Sequence, residues 1–518
     1  MDSFLKANGE PIFILGGQVC NSSAYDPANL HRALQALMAM HANTLEVPVY
    51  WEQVEAEEGD FNFDHLDRLL AMARQNDLKL IFLWFGTWKN GTMNYAPSWV
   101  KNDPRRFRRV LDPLGDLVWV LSSHCQENLN ADRRAFCQLM AHLRQVDDDQ
   151  HTVIAVQVEN EPGILNCPRD FSPEAEAEFC APVPTEVLEI PAHFPESYAA
   201  KAWEKAGSRL EGNWQQIFGP DAAEFFTAWS IAHYIDAVVE AGKKVFDIPM
   251  YVNVWLGEGG WRLPGNGYPS GGAVLKVLDV WKAIAPHIDL IAPDNYIEDH
   301  NLYLQVNKAY ARPDNLLFVP ESGQGVANAI HLFETIALGA IGYAVFGIEE
   351  LVEEDGSLRP AAKPVVESMS CLAAAAPLLI RANGSANVYP VGQKEFLGEQ
   401  CFDFGDYLGR VTFDLEHART DYHTRSLHAG QRGRGLIIQT GPRQFYLTGA
   451  GFRLFFKKKP AEREVRSRSN EQWEACTVNY LTVEEGHFSQ GGEWAVDRPP
   501  KKLKGWEPGE MVPAGNRV

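Results

Sequence analysis

Short apolar runs recur along the chain, and between them apolar residues return every three or four positions. The runs are "PIFILGGQ" (11–18), "TLEVPVYW" (44–51), "LKLIFLWFG" (78–86), "VIAVQVENE" (153–161), "MYVNVWLG" (250–257), "LIAPDNY" (290–296), "LLFVPESG" (316–323) and "IGYAVFGI" (341–348). Their length and their β-branched and aromatic content predict strands. Stretches such as "PANLHRALQALMAMHA" (27–42), "FDHLDRLLAMARQND" (63–77), "ADRRAFCQLMAHLRQ" (131–145) and "EFFTAWSIAHYIDAVVEAGKKVF" (224–246) predict amphipathic helices. Strands alternating with helices call for a parallel sheet, because each crossover returns the chain to the same edge. Eight such units predict a closed (β/α)8 barrel, a TIM barrel. An open doubly wound sheet is the alternative, but "LGGQVCNSS" after the first strand lacks the G-x-G-x-x-G phosphate turn.

Two connections exceed the usual handful of residues, 87–130 after the third strand and 162–220 after the fourth. Both follow strand C-termini, the catalytic face of such a barrel, so they are expected to build pocket walls. The Gly-rich, aromatic loop "GEGGWRLPGNGYPSGG" (257–272) can cover a ligand. A last helix is expected near "AAKPVVESMSCLAAAAPLLI" (361–380), after which alternating runs such as "GLIIQTG", "QFYLTGAG" and "FRLFF" replace helical periodicity. The expected division is a barrel over 1–380 and a β-sandwich-like domain over 381–518.

Composition narrows the partners. Of 518 residues, 47 are Lys or Arg against 68 Asp or Glu, a formal net charge of −21. Nucleic acid and anionic membrane surfaces would be repelled, and no apolar run reaches the roughly 20 residues of a membrane span. The eight cysteines show neither C-x-x-C nor zinc-type spacing, so free thiols are expected and no cofactor or metal is implied. The first strand follows Met1 too closely for a signal segment, which makes the cytoplasm the expected location. N-x-[ST] triplets occur at Asn21, Asn90 and Asn383.

The chemistry lies at two strand ends. In the fourth run, "VQVENEP", Glu161 shares the parity of Glu159, and Pro162 has no N–H to extend a ladder. Asn160 and Glu161 can then turn into the barrel mouth. In the seventh run, "LLFVPESG", a proline again precedes a carboxylate, Glu321. Two glutamates thus reach one rim from strands 4 and 7. Glycoside hydrolysis uses such a pair, one group protonating the departing oxygen and the other attacking the anomeric carbon or activating water. A single strand-end Glu is commonly a salt-bridged core residue, as expected for Glu159; the combination on an eightfold pattern is what points to catalysis. No His-x-His ends a strand, which disfavours a metal-dependent hydrolase.

"VQVENEPG" with "FVPESG" resembles the retaining glycoside hydrolases of clan A, whose acid/base follows an Asn on strand 4 and whose nucleophile ends strand 7. "ANTLEVPVYWEQVEAEEGDFNFDHLDRLLAMA", "LWFGTWKNGTMNYAPSWV", "DPRRFRRVLDPLG", "AEFFTAWSIAHYI" and "GAIGYAVFGIEE" extend the resemblance, to glycoside hydrolase family 35, the β-galactosidases, in the subgroup acting on xyloglucan-type oligosaccharides. The resemblance implies Glu161 as acid/base, Glu321 as nucleophile, Asn160 as partner of the sugar 2-hydroxyl and Tyr296 as support of the nucleophile. Trp88, Lys89 and Asn90 stand where that family makes sugar contacts after strand 3. Here the chain departs from the commoner pattern, lacking Cys-Ala-Glu in that loop and carrying Pro48 where a tyrosine is usual. Trp88, Trp99, Trp255 and Trp261 are candidate stacking surfaces for sugars. The implied activity is a retaining exo-β-galactosidase on plant cell-wall oligosaccharides. A clan A enzyme for glucose, fucose or arabinopyranose, and a non-catalytic carbohydrate-binding barrel, are the alternatives.

Overall fold

The computed structural model describes residues 5–7, 9–259, 262–382, 387–394, 398–413, 432–459, 477–478, 482–489 and 492–501. Eight parallel strands form one sheet: β1 (Ile14–Gln18), β2 (Thr44–Tyr50), β3 (Lys79–Lys89), β4 (Val153–Asn160), β5 (Met250–Trp255), β6 (Leu290–Asp294), β7 (Phe318–Val319) and β8 (Gly342–Phe346). Each precedes a helix: α1 (Pro27–Met40), α2 (Asp64–Gln75), α3 (Gln126–Asp147), α4 (Ala222–Val245), α5 (Leu278–Ile284), α6 (His300–Tyr310), α7 (Val326–Ala337) and α8 (Lys363–Ala382). Local chemistry sets the helix limits. In α1 the Asp26 side chain accepts from the Ala28 N–H, Pro27 opens the first turn, and His41 ends the helix at φ 52°.

The strand order 6-5-4-3-2-1-8-7 is that of a (β/α)8 barrel. β7 is shorter than the apolar run suggests, since Pro320 cannot donate to a ladder. An isolated parallel bridge, Asn295 to Ser322, joins the ends of β6 and β7, with the Asn295 N–H donating to the Glu321 carbonyl at 2.9 Å. The barrel therefore closes beside Glu321.

The connection after β3 holds an antiparallel hairpin, Arg109–Leu111 with Leu117–Leu121. That after β4 holds short helices including Pro173–Cys180 and Tyr198–Lys205. α8 is long and apolar enough by length and composition to cross a membrane, contrary to the reading of the sequence, but 56% of its apolar window is buried within the protein. It packs between the barrel and the β-rich part, an arrangement that accounts for its apolarity without a bilayer.

Beyond α8 the chain is β-rich. β9 (Asn387–Gly392), β12 (Arg434–Gly441) and β13 (Gln444–Ala450) form one antiparallel sheet in the order 9-12-13. β10 (Glu399–Asp403), β11 (Tyr407–Phe413), β14 (Phe452–Lys458) and β15 (Thr477–Val478) form a second. A hairpin, β16 (Val483–Phe488) with β17 (Trp494–Lys501), follows. Alternation along β12 divides two cores: Leu436 and Ile438 join the barrel's core, while Ile437 joins Val391, Val411, Phe452 and Phe456 between the sheets.

Candidate active site

Glu161 and Glu321 are buried at the C-terminal end of the barrel, where they line a cavity of about 440 Å³ with Lys89, Asn90, Trp255, Asp294, Tyr296 and Phe346. One oxygen each from Glu161, Asp294 and Glu321 lies within 4.8 Å of the others.

Strand alternation does not carry Glu161 there. Glu159 and Glu161 both have positive φ, 65° and 45°, a conformation side-chain-bearing residues adopt at local cost. The turn sends the two carboxylates apart. Glu159 accepts from the backbone N–H groups of Thr87 (3.2 Å) and Trp88 (2.6 Å) in β3 and lies against Asp132 of α3. Burial first, and Asp132 second, push its carboxyl well above the usual range, so the pair holds a proton between them. Glu161 turns into the mouth. Its N–H donates to Asn253 Oδ1 (2.7 Å), and Asn90 Nδ2 donates to its carboxylate.

Glu321 accepts four hydrogen bonds. Gln18 Nε2 (2.8 Å), Asn253 Nδ2 (3.3 Å) and Asn160 Nδ2 (3.4 Å) reach Oε1, and the Tyr296 hydroxyl donates to Oε2 at 2.7 Å. These donors come from β1, β5, β4 and the end of β6, so the whole barrel aims one carboxylate. Lys89 Nζ donates to Asn160 Oδ1 at 2.5 Å and lies over the Phe85 ring. Burial lowers the Lys89 ammonium's pKa, against the pull of Glu321 and Glu161.

Burial and the negative charge of Glu321 push Glu161 up to about 7. Asp294 is pushed well above its ordinary range by burial, then by Glu321 and Glu161. Its Oδ2 accepts from Asn253 Nδ2 (2.7 Å), while Oδ1 is buried without a donor beside Glu161. A proton held between Asp294 and Glu161 satisfies both. Below them Glu46, raised by burial and by Glu321, accepts from the Tyr251 hydroxyl at 3.2 Å.

Asn160, Tyr296, Lys89, Asn90 and Trp255 thus converge with the two glutamates. Trp88 does not. The β3–β4 register breaks between Trp84 and Lys89, and Trp88 turns into the core, edge-on to Tyr234 at 4.8 Å. Trp99 packs edge-on to Trp51 at 5.8 Å, its indole N–H donating to the Glu55 carbonyl. Trp261, like Asn383 and Cys476, lies outside the described residues. Gln18, Asn253 and Asp294 escaped sequence reasoning. Gln18 and Asp294 end strands, as Glu321 follows one, but Asn253 sits inside the apolar run "YVNVW", where only structure reveals its role.

Fold and site together define a (β/α)8 barrel bearing opposed carboxyl groups at the ends of β4 and β7. The chain belongs to glycoside hydrolase family 42: the model of that family, described as beta-galactosidase, matches residues 24–312, more than half of the chain. That match corrects the expectation of family 35. The strand-4 and strand-7 motif pointed to clan A; the narrower assignment rested on the strand-2 stretch and the other segments quoted above, and most of those fall inside the matched residues. Residues 366–499 match a domain of unknown function, DUF5597. No curated protein shows significant similarity. Among solved structures, a beta-galactosidase from Bacillus circulans sp. alkalophilus is 15% identical over 72% of this chain and 57% of that one, with a TM-score of 0.51. A GH42 beta-galactosidase from G. stearothermophilus, solved as a catalytic mutant, is 16% identical over 73% and 58%, TM-score 0.51. A beta-galactosidase from Rahnella sp. R3 is 18% identical over 72% and 58%, TM-score 0.50. These likenesses bear on the fold, and the chain spans less than three fifths of each of those chains.

Proposed function

We propose that the protein is a retaining exo-β-galactosidase that releases terminal β-galactosyl units from oligosaccharides, with Glu321 as nucleophile and Glu161 as acid/base. The observation that carries this is the close approach of the Glu161 and Glu321 oxygens, within 4.8 Å. Retaining enzymes hold their carboxyl groups about 5–5.5 Å apart, and inverting ones leave about 6.5–9.5 Å for a water. In the first step Glu321 attacks the anomeric carbon while the Glu161 proton passes to the departing glycosidic oxygen. In the second, ionised Glu161 takes a proton from water, whose oxygen displaces Glu321 and restores both groups. Family 42 membership supports galactose as the cleaved sugar. The 440 Å³ cavity, roomy enough for about one or two sugar rings at the barrel mouth, supports action on a terminal sugar. Galactosylated plant oligosaccharides of the xyloglucan type are the natural substrate class in this reading. The seven described cysteines are free thiols, which supports the cytoplasmic location.

A panel of aryl β-glycosides tests the sugar, and proton NMR of early product tests the stereochemistry. Aryl β-galactoside should be cleaved well ahead of aryl β-glucoside, with the β-anomer appearing first. Faster glucose release would overturn the galactosidase reading, and an α-anomer would remove Glu321 from the nucleophile's role.

A further inference from the structure

We propose a divalent-metal site of the zinc class, separate from the catalytic cavity, formed by His300, His331 and Glu334. His300 begins α6, and His331 and Glu334 lie three residues apart on α7, a spacing that puts both on one helix face. One donor atom from each lies within 4.8 Å of the other two. His300 Nδ1 stands 3.0 Å from Glu334 Oε2, an ion pair only when the imidazole is protonated. Glu334 Oε2 and His331 Nδ1 are both buried polar atoms without a hydrogen-bond partner. Two buried polar atoms of one cluster left without a hydrogen bond carry an uncompensated desolvation cost. A cation bound by both removes it.

The donor set, two imidazoles and one carboxylate, is the one Zn²⁺ takes with a water in its fourth position. Donors around Zn²⁺ at bond lengths of about 2.0–2.2 Å sit about 3.3 Å apart, so side-chain rotations of little more than 1 Å close the set. The surroundings hold the ligands in place. Tyr303 stacks on the His331 ring at 4.2 Å while its hydroxyl pairs with Thr335. Lys394, exposed beyond β9, is the neighbouring cation, and its charge acts on Glu334.

The position gives the metal a structural task. α6 starts four residues after Tyr296, and α7 starts five after Glu321. Tying α6 to α7 fixes the two loops that hold the Tyr296 hydroxyl against the nucleophile. The loops need not be on a working galactosidase for the metal to bind, so the failure of either reading is separable from the other.

The full chain, stripped with a chelator and titrated with Zn²⁺, should bind with an equivalent that Glu334→Gln and His331→Asn each weaken at least 100-fold. Glu334→Gln is nearly isosteric, so it reports on the ligand without disturbing the fold. Co²⁺ in the same site should give a d–d absorption band that both variants lose. Zn²⁺ should raise the thermal midpoint of the native chain and of Lys394→Ala, and leave that of Glu334→Gln unmoved. Absence of Zn²⁺ binding, or binding that both ligand variants leave intact because free cysteines provide it, would overturn the proposal.

Discussion

Glu161 carries two opposed demands at the scale of a single residue. As the proposed acid/base it would hold a proton to assist leaving-group departure and then release it to activate water. Burial and Glu321 raise its pKa to about 7, while Lys89, Asp294 and Asn90 oppose the rise. The sign follows: the protonated acid is present below pH 7 and lost above it. For a galactoside with a poor leaving group, kcat/KM should therefore fall as pH rises through about 7. Glu161→Gln should abolish that limb and cost about 10²–10⁴ in rate on such substrates, with a smaller loss on activated aryl galactosides. An unchanged limb in the variant would assign the proton elsewhere, with Asp294 the next group in contact. Tyr296→Phe addresses the other carboxylate. Hydrogen bonds to charged groups contribute about 1.5–3 kcal/mol, so loss of the 2.7 Å bond to Glu321 should lower kcat about 10- to 100-fold, as steady-state kinetics on the aryl galactoside would show.

At the scale of the element, the site depends on how β3 and β4 end. Gly86 in β3 is where the buried pair behind the site closes: a Cβ there would stand 2.9 Å from Asp132 and Glu159 oxygens and 2.3 Å from Trp84 Nε1. Gly86→Ala should cost about 1–3 kcal/mol by overpacking and depress kcat beyond that loss, because the displaced Glu159 no longer holds the Thr87 and Trp88 N–H groups that lead into Lys89 and Asn90. A variant with wild-type kinetics and melting would contradict this linkage. The same strand ends show what the sequence disclosed. The position of Glu161 and Glu321 at one rim was legible because both close apolar runs beside prolines, on strands 4 and 7 of an eightfold pattern; either alone would have read as a core residue. Trp88 was placed among the sugar contacts by resemblance alone, and the register break between Trp84 and Lys89, which turns it into the core, has no mark in the sequence. The positive φ of Glu159 and Glu161 had no local signal, since glycine usually marks such a turn. The eight strands themselves were legible from periodicity, except that β7 shrank to two residues where Pro320 ends its ladder.

At the scale of the molecule, the barrel and the β-rich part share one core. Leu436, Ile438 and Phe488 belong to the same buried cluster as the barrel's strands, with α8 between. One polar anchor is Arg434 on β12, which donates to Ser368 Oγ (2.9 Å), Glu367 Oε2 (2.9 Å) and the Pro364 carbonyl (3.3 Å), all on α8. Removing a buried charged partner costs about 3–5 kcal/mol, and Glu367 is 31% exposed, so part of its charge is recovered by water and about 3 kcal/mol is the expected loss. A shared core couples that loss to the barrel. Arg434→Ala should therefore lower the temperature at which activity disappears, in step with the calorimetric transition, although Arg434 lies far along the chain from either glutamate. Ile437→Ala, facing the second core, should affect β-rich signals more than activity. If Arg434→Ala instead split unfolding into two transitions and left the thermal loss of activity unchanged, the two parts would be energetically independent, and the apolar face of α8 would need another explanation.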